Sequence, residues 1–170
     1  DEAAAQYRVE IELLQTSPGV GHDSAVNIIS EIGTDMGQFP NEQHLSSWAG
    51  MSPGNNESGG KKKVATTVHG NKYLQCTLVE SAWGATRKND SYFKRKYESL
   101  IARRGRKKAL VAVGHKIIIA AYHVIKNKEV YKEPVLHNNP KKKAKRINHL
   151  LDKLKELGLE VRKADLAPTA

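Results

Sequence analysis

From Lys107 to Ile125 the chain is apolar almost all the way round a helix, and no other segment constrains the fold as strongly. A surface helix needs cover on one side; a helix that is apolar on every side has to be enclosed by its neighbours. The β-branched run Ile117-Ile118-Ile119 would also suit a strand, but the length of the segment favours a helix. Its most apolar part, Ala109 to Ile125, contains His115, Lys116 and His123, which reads as a buried helix rather than a membrane span. Hydrophobic residues make up 39% of the 170 positions, enough to wrap such a helix within one domain of ordinary size.

The remaining elements are also mostly helical. Ala4, Tyr7, Ile11 and Leu14 sit three and four residues apart, so the chain opens inside a helix. Asp1 is not an initiator methionine, and the sequence reads as a piece of a longer protein or a processed chain. A second helix aligns Ala25, Ile28, Ile29 and Ile32 and stops at Gly33. After Phe39-Pro40, Asn41 caps a short helix carrying Leu45 and Trp48. A polar loop follows from Gly50 to about Gly70, in which the β-branched residues of 63–68 offer a short extended segment. A helix from Asn71 to about Lys88 aligns Leu74, Leu78, Ala82 and Ala85, with Cys76 as a small core residue, and the next buries Phe93, Tyr97, Leu100 and Ile101. The expected fold class is all-α, with a helix-hairpin-helix-like element and a long serine-bearing loop. The expected organisation is the end of a connecting helix at 1–15, a main domain at 16–127, a linker at 128–140, an amphipathic helix at 141–163 and a loose tail at 164–170.

Charge is distributed unevenly. Residues 1–60 hold one basic and nine acidic residues, net −8; residues 61–146 hold 23 basic and five acidic, net +18; the rest balance, giving +10 in all. A block of +18 over half a chain is an electrostatic footprint for nucleic acid, although a solvated basic face has the same composition. The single cysteine excludes an internal disulfide, so nothing argues for an oxidising compartment. The seven histidines show no metal-ligand spacing: His115 and His123 share a face that is also core. No compact carboxylate cluster is visible either, and Glu80 is the one acid on the helix after the loop that could approach it.

The chemistry-bearing candidate lies where the charge changes sign. Glu57-Ser58-Gly59-Gly60 runs into Lys61, Lys62 and Lys63. A serine hydroxyl attacks acyl carbon or phosphorus, and flanking lysines favour phosphorus because they stabilise an anionic substrate. Two glycines let the backbone come close to a bulky ligand. On composition alone a Ser-Gly-Gly is more often a flexible turn. Ser46 and Ser47 belong to the Trp48 helix and Ser52, before Pro53, to turn chemistry, so they are weaker rivals. Pro18-Gly19-Val20-Gly21, between two helices, reads as a hairpin whose uncovered N–H groups, at Gly19 and Gly21, suit a phosphate oxygen. Its acidic surroundings weaken that reading, and an ordinary helix–helix turn is its equal.

In order along the chain, these pieces resemble the C-terminal domain of the insertion-sequence-110 type of transposase, the DEDD or bridge-RNA-guided serine recombinases. The matching residues are Leu14 with Thr16 to Gly21, Ala25 through Gly33, Phe39, His44 to Pro53, Glu57 to Lys61, and Gly70-Asn71-Lys72-Tyr73-Leu74. Tyr97 to Tyr122, with Arg104-Gly105 and Lys108-Ala109, completes the pattern, so the likeness spans roughly residues 10 to 131. Two positions depart from it: Ser17 stands where an apolar residue is usual, and Gln75 where the family carries Arg. The resemblance implies that Ser58 is the recombination nucleophile. It also implies an N-terminal RuvC-like domain, absent here, whose acidic residues bind Mg²⁺, and partners that include DNA and a bridge RNA.

Two readings follow. In the first, the chain belongs to a cytoplasmic, nucleoid-associated transposase that is oligomeric at full length and cuts DNA through a phosphoserine intermediate. Lys61, Lys62, Lys63, Lys72, Arg87, Lys88, Arg103, Arg104, Arg106, Lys107 and Lys108 then hold the DNA, no metal or cofactor binds this part, and the fragment alone is inactive. In the second, the chain is a non-catalytic DNA- or RNA-binding and dimerisation module, working through its charge and the stripe Ile147, Leu150, Leu151, Leu154 and Leu157. Base-stacking platforms for RNA are not evident, because Tyr92, Phe93 and Tyr97 read as core.

Overall fold

A computed structural model describes residues 5–54, 57–58, 61–62, 67, 69–134 and 140–158. The chain divides into two units, Asp1–Glu133 and Pro134–Ala170. Unit one holds helices α1 (Arg8–Gln15), α2 (His22–Ile32), α3 (Glu42–Trp48), α4 (Lys72–Ala85), α5 (Tyr92–Arg104) and α6 (Arg106–Asn127), with a 3₁₀ turn at Met36–Gln38. Two two-residue strands, β1 (Glu57–Ser58) and β2 (Lys61–Lys62), form a small antiparallel ribbon between α3 and α4. The fold is all-α, with this ribbon as a local feature of the serine loop.

Helix α6 is the centre, as its all-round apolarity requires. It packs against α1, α3, α4, α5 and the 3₁₀ turn, and it buries Ala109, Val113, Ile117, Ile118, Ala121, Tyr122, Val124 and Ile125. By length and composition it would suffice to cross a membrane. Enclosure by four other helices accounts for the same apolarity, since each covers one sector of it. The outer helices are amphipathic, and α3, α4 and α5 start with side-chain caps. Asn41 Oδ1 accepts from the N–H groups of Gln43 and His44, each at 3.0 Å, to start α3. Ser91 Oγ accepts from the Lys94 N–H at 3.1 Å to start α5. Replacing such a cap costs about 1 kcal/mol.

Four details differ from the sequence reading. Cys76 is exposed rather than in the core. It lies two positions from Leu74 and from Leu78, so when those face inward it is rotated about 160–200° away. Leu100 and Ile101 are only partly buried beside Phe93 and Tyr97. Residues 129–133, read as the start of a linker, lie against the helical unit. Tyr131 stacks on Phe93 with ring centroids 5.6 Å apart, and its N–H donates to Thr16 Oγ1 at 2.8 Å. Finally, two short strands form at Glu57–Ser58 and Lys61–Lys62, which the sequence reading left as polar loop; the extended segment expected at 63–68 lies, apart from Thr67, outside the described residues.

Unit two contains α7 (Pro140–Glu156). Proline at a first helical position loses nothing, because that N–H has no intrahelical acceptor. Leu151 and Leu154 are half-buried and Ile147 is 39% exposed.

Candidate functional site

The serine loop is held at its base by a socket of small and polar residues. The chain leaves α3 through Ala49 and Gly50, and it returns through Gly70 into α4. Gly50 adopts φ +69°, a left-handed conformation suited to glycine. A Cβ at Gly50 would stand 2.9 Å from Gly70 Cα, and one at Gly70 would stand 2.3 Å from Gly50 N. The two backbones therefore meet where any side chain would force them apart. Gln75 Nε2 donates to the Gly50 carbonyl at 3.0 Å and fixes the crossing to the first turn of α4.

The residues around the crossing complete the socket. Asn71 caps α4, accepting from the Tyr73 and Leu74 N–H groups at 3.0 and 3.1 Å. Its Nδ2 donates to Glu31 Oε2 near the end of α2. Buried Ser46 Oγ donates to the Gln43 carbonyl at 3.1 Å and lies 2.8 Å from Ser52 Oγ, so the Ser52 hydroxyl donates to Ser46. Met51 is buried, and Leu74 is fully enclosed.

Above the socket the loop is a ribbon. Pro53 and Thr67 form an antiparallel bridge, followed by the pairs Glu57–Lys62 and Ser58–Lys61. Ser58 is the last residue of β1, opposite Lys61, and Gly59-Gly60 follow it in the sequence. Lys63 lies outside the described residues.

The other cation candidates are all exposed and group by element. Arg103 and Arg104 end α5, and Arg106, Lys107 and Lys108 begin α6, so five cations meet at the turn around Gly105. Arg103 and Arg104 suit a helix C-terminus; the three on α6 oppose its dipole. Lys72 begins α4, and Arg87 and Lys88 follow its end. None of these eight is ion-paired among the described residues; the ion pairs formed use Arg8, His22, Arg95, Lys128 and Lys132 instead. Cations that lack partners and oppose a helix dipole reduce stability, which is expected where an anion is to be bound.

The hairpin residues behave differently from one another. Gly19 has φ +83°, and a Cβ there would stand 2.2 Å from the Ser81 carbonyl oxygen and 2.4 Å from Ala85 N. Its role in the fold is to let the α1–α2 turn touch the backbone of α4. Gly21 is the N-cap of α2, with open space where a Cβ would point, but the first turn it begins contains Asp23. His115 is half-buried, and burial followed by the neighbouring Lys116 lowers its pKa from the ordinary value. His123 is exposed, and so is Glu80. Among the described residues no group of three or more His, Cys, Asp or Glu is placed to hold a metal ion.

The family model described as "Transposase IS116/IS110/IS902 family" matches residues 11–98, just over half of the chain. The chain belongs to this transposase family. The matched span begins in α1 and ends in α5, and it includes the hairpin, the whole socket and the serine ribbon. The chain is also 29% identical over 135 residues to the transposase for insertion sequence element IS1111A of Coxiella burnetii (strain RSA 493 / Nine Mile phase I). That alignment covers 77% of this chain and 37% of the relative, so the chain spans well under half the length of that transposase.

Two features of this transposase domain escaped the sequence reading. Gln75 works as the tie across the loop base, a role that only the position of Gly50 discloses. The exposed aromatic residues Trp48, Tyr73 and Trp83 were not singled out as surface groups. Their positions in the helical repeat opposite Leu74 and Leu78 would have marked Tyr73 and Trp83.

Proposed function

We propose that this chain is the serine-bearing half of a DNA strand-transfer enzyme and that Ser58 is its nucleophile. The supporting observation is the register of the ribbon: Ser58 ends one strand and pairs with Lys61, on a loop whose base is tied to α3 and α4. Opposed positions in a two-stranded ribbon share a face, and on that face we place the phosphate. In the proposed step the Ser58 oxygen bonds to phosphorus and the bond from phosphorus to one bridging deoxyribose oxygen breaks. The serine proton passes to a base and the departing oxygen takes up a proton, leaving a phosphoserine–DNA intermediate. Lys61, Lys62, Lys63 and Lys72, with the cations of Arg87 to Lys108, hold the strand.

We derive no step through Mg²⁺; the proposal assigns the ion to a RuvC-like N-terminal domain, as the resemblance implies. Bridge RNA, oligomer formation at full length and a cytoplasmic, nucleoid-associated location belong to the same proposal. A suicide DNA substrate that traps the covalent intermediate tests it with the full-length protein. Ser58→Ala is expected to abolish the adduct while leaving DNA affinity within about twofold; an undiminished adduct yield overturns the assignment. The second reading, a non-catalytic binding module, draws on the eight exposed cations without ion-pair partners. It predicts no adduct from either protein.

A further inference from the structure

Helix α4 turns one face to its neighbours and leaves another uncovered. Leu74, Thr77, Leu78, Ser81, Ala82 and Ala85 are buried. Opposite them, Tyr73, Cys76, Glu80 and Trp83 are exposed and fall within a stripe about 80° wide at 100° per residue, and exposed Arg87 follows just past the helix end. Tyr73 is 80% exposed and Trp83 is 46% exposed. The Arg87 guanidinium lies 5.5 Å from the centroid of the Trp83 ring. Lys72 and Lys88 flank the stripe, which therefore carries three cations against the single carboxylate of Glu80.

Two large aromatic rings held in water on one helix face have a cost that the fold does not require. We infer that this stripe is a stacking platform for unpaired DNA bases. Ring faces are open to aromatic side chains only where the bases are unpaired, since a duplex presents base edges alone. Tyr73 and Trp83 stand about 15 Å apart along the helix, so they serve two different bases of one strand. Arg87 lies over the Trp83 ring, and with Lys72 and Lys88 it meets the phosphates between and beyond the stacked bases. A protein partner fits less well, because protein interfaces are depleted of lysine, which flanks this stripe at both ends. The stripe starts two residues after Asn71, where the serine loop returns to the scaffold, so a strand lying on it runs toward the loop base. The inference rests on the reading of the chain as a transposase's DNA-handling domain, and it is independent of the role of Ser58.

The stripe contains the chain's one cysteine, which makes the test direct. Alkylation of Cys76 by a maleimide is measured on the unaltered chain in the presence of oligo-dT, of an abasic oligomer with the same backbone, of oligo-rU and of a DNA duplex. Oligo-dT is expected to slow alkylation at least fivefold, and the abasic strand and the duplex to slow it less than twofold. Tyr73→Ala and Trp83→Ala are each expected to weaken oligo-dT binding about fivefold or more, as loss of one stacked base implies, and Tyr73→Phe and Trp83→Phe to retain it. All of these readouts are independent of strand cleavage, so they stand or fall apart from the Ser58 assignment. Equal protection by the abasic strand overturns stacking. Stronger protection by oligo-rU overturns the assignment to DNA. Protection of Cys76 that rises with protein concentration in the absence of any oligomer shows a contact between copies instead, and it too overturns the proposal.

Discussion

At the scale of single residues, each serine's surroundings decide which of them is chemically available. Ser46 is fully buried and donates to Gln43, Ser52 donates to Ser46, and Ser47 sits on the outer side of a short helix. Ser58 alone among them lies on the ribbon beside a lysine partner. Ser17 is a different case. It is 3% exposed, and its hydroxyl has no hydrogen-bond partner among the described residues. A buried hydroxyl without a partner costs about 1–3 kcal/mol. Ser17→Ala is therefore expected to stabilise the fold by about 1 kcal/mol, read as a higher urea midpoint at unchanged slope. A lower midpoint would mean that the hydroxyl is satisfied in solution.

At the scale of elements, the α1–α2 hairpin separates two glycines that look equivalent in the sequence. Gly19 combines φ +83° with a backbone contact that a methyl group would invade, whereas Gly21 has ordinary dihedrals and open space. Gly19→Ala is expected to cost about 3 kcal/mol or more, and Gly21→Ala less than about 1 kcal/mol, in denaturant unfolding. Similar costs for both would show that the hairpin does not rest on α4. The helices themselves were legible because apolar residues recur at helical spacing and because Asn41 and Asn71 cap in place. Side-chain direction was less legible: Cys76 looked like core because it is small and apolar, while its angle on the helix faces water. The strands at Glu57–Ser58 and Lys61–Lys62 were not legible either, because neither pair has the β-branched or aromatic side chains that mark a strand. The tie from Gln75 to Gly50 could not be read from sequence, because it joins residues 25 positions apart through a carbonyl that any residue would carry.

At the scale of the whole molecule, the charge asymmetry becomes a located surface. Arg103, Arg104, Arg106, Lys107 and Lys108 converge on one turn without acidic partners among the described residues. Duplex DNA binding is expected to weaken linearly in log–log salt plots, with about 0.9 of slope for each phosphate neutralised. Changing all five to glutamine is expected to flatten that slope by roughly 3–4, while folding stability holds or rises because cations leave the start of α6. An unchanged slope in a titration from low to physiological salt would reduce this corner to a solvated face. The sequence located the charge only as a block of residues 61–146; its convergence depends on how α5 turns into α6.

The meeting of Gly50 and Gly70 has a geometric consequence for the family. A segment whose two ends touch adds no span to the scaffold, so the distance between α3 and α4 is independent of how many residues lie between them. Closing a longer loop costs little, about 0.6 kcal/mol for each doubling. The serine ribbon is thus a cassette on a fixed mount. Its length and tip can change while the helices beneath keep one packing.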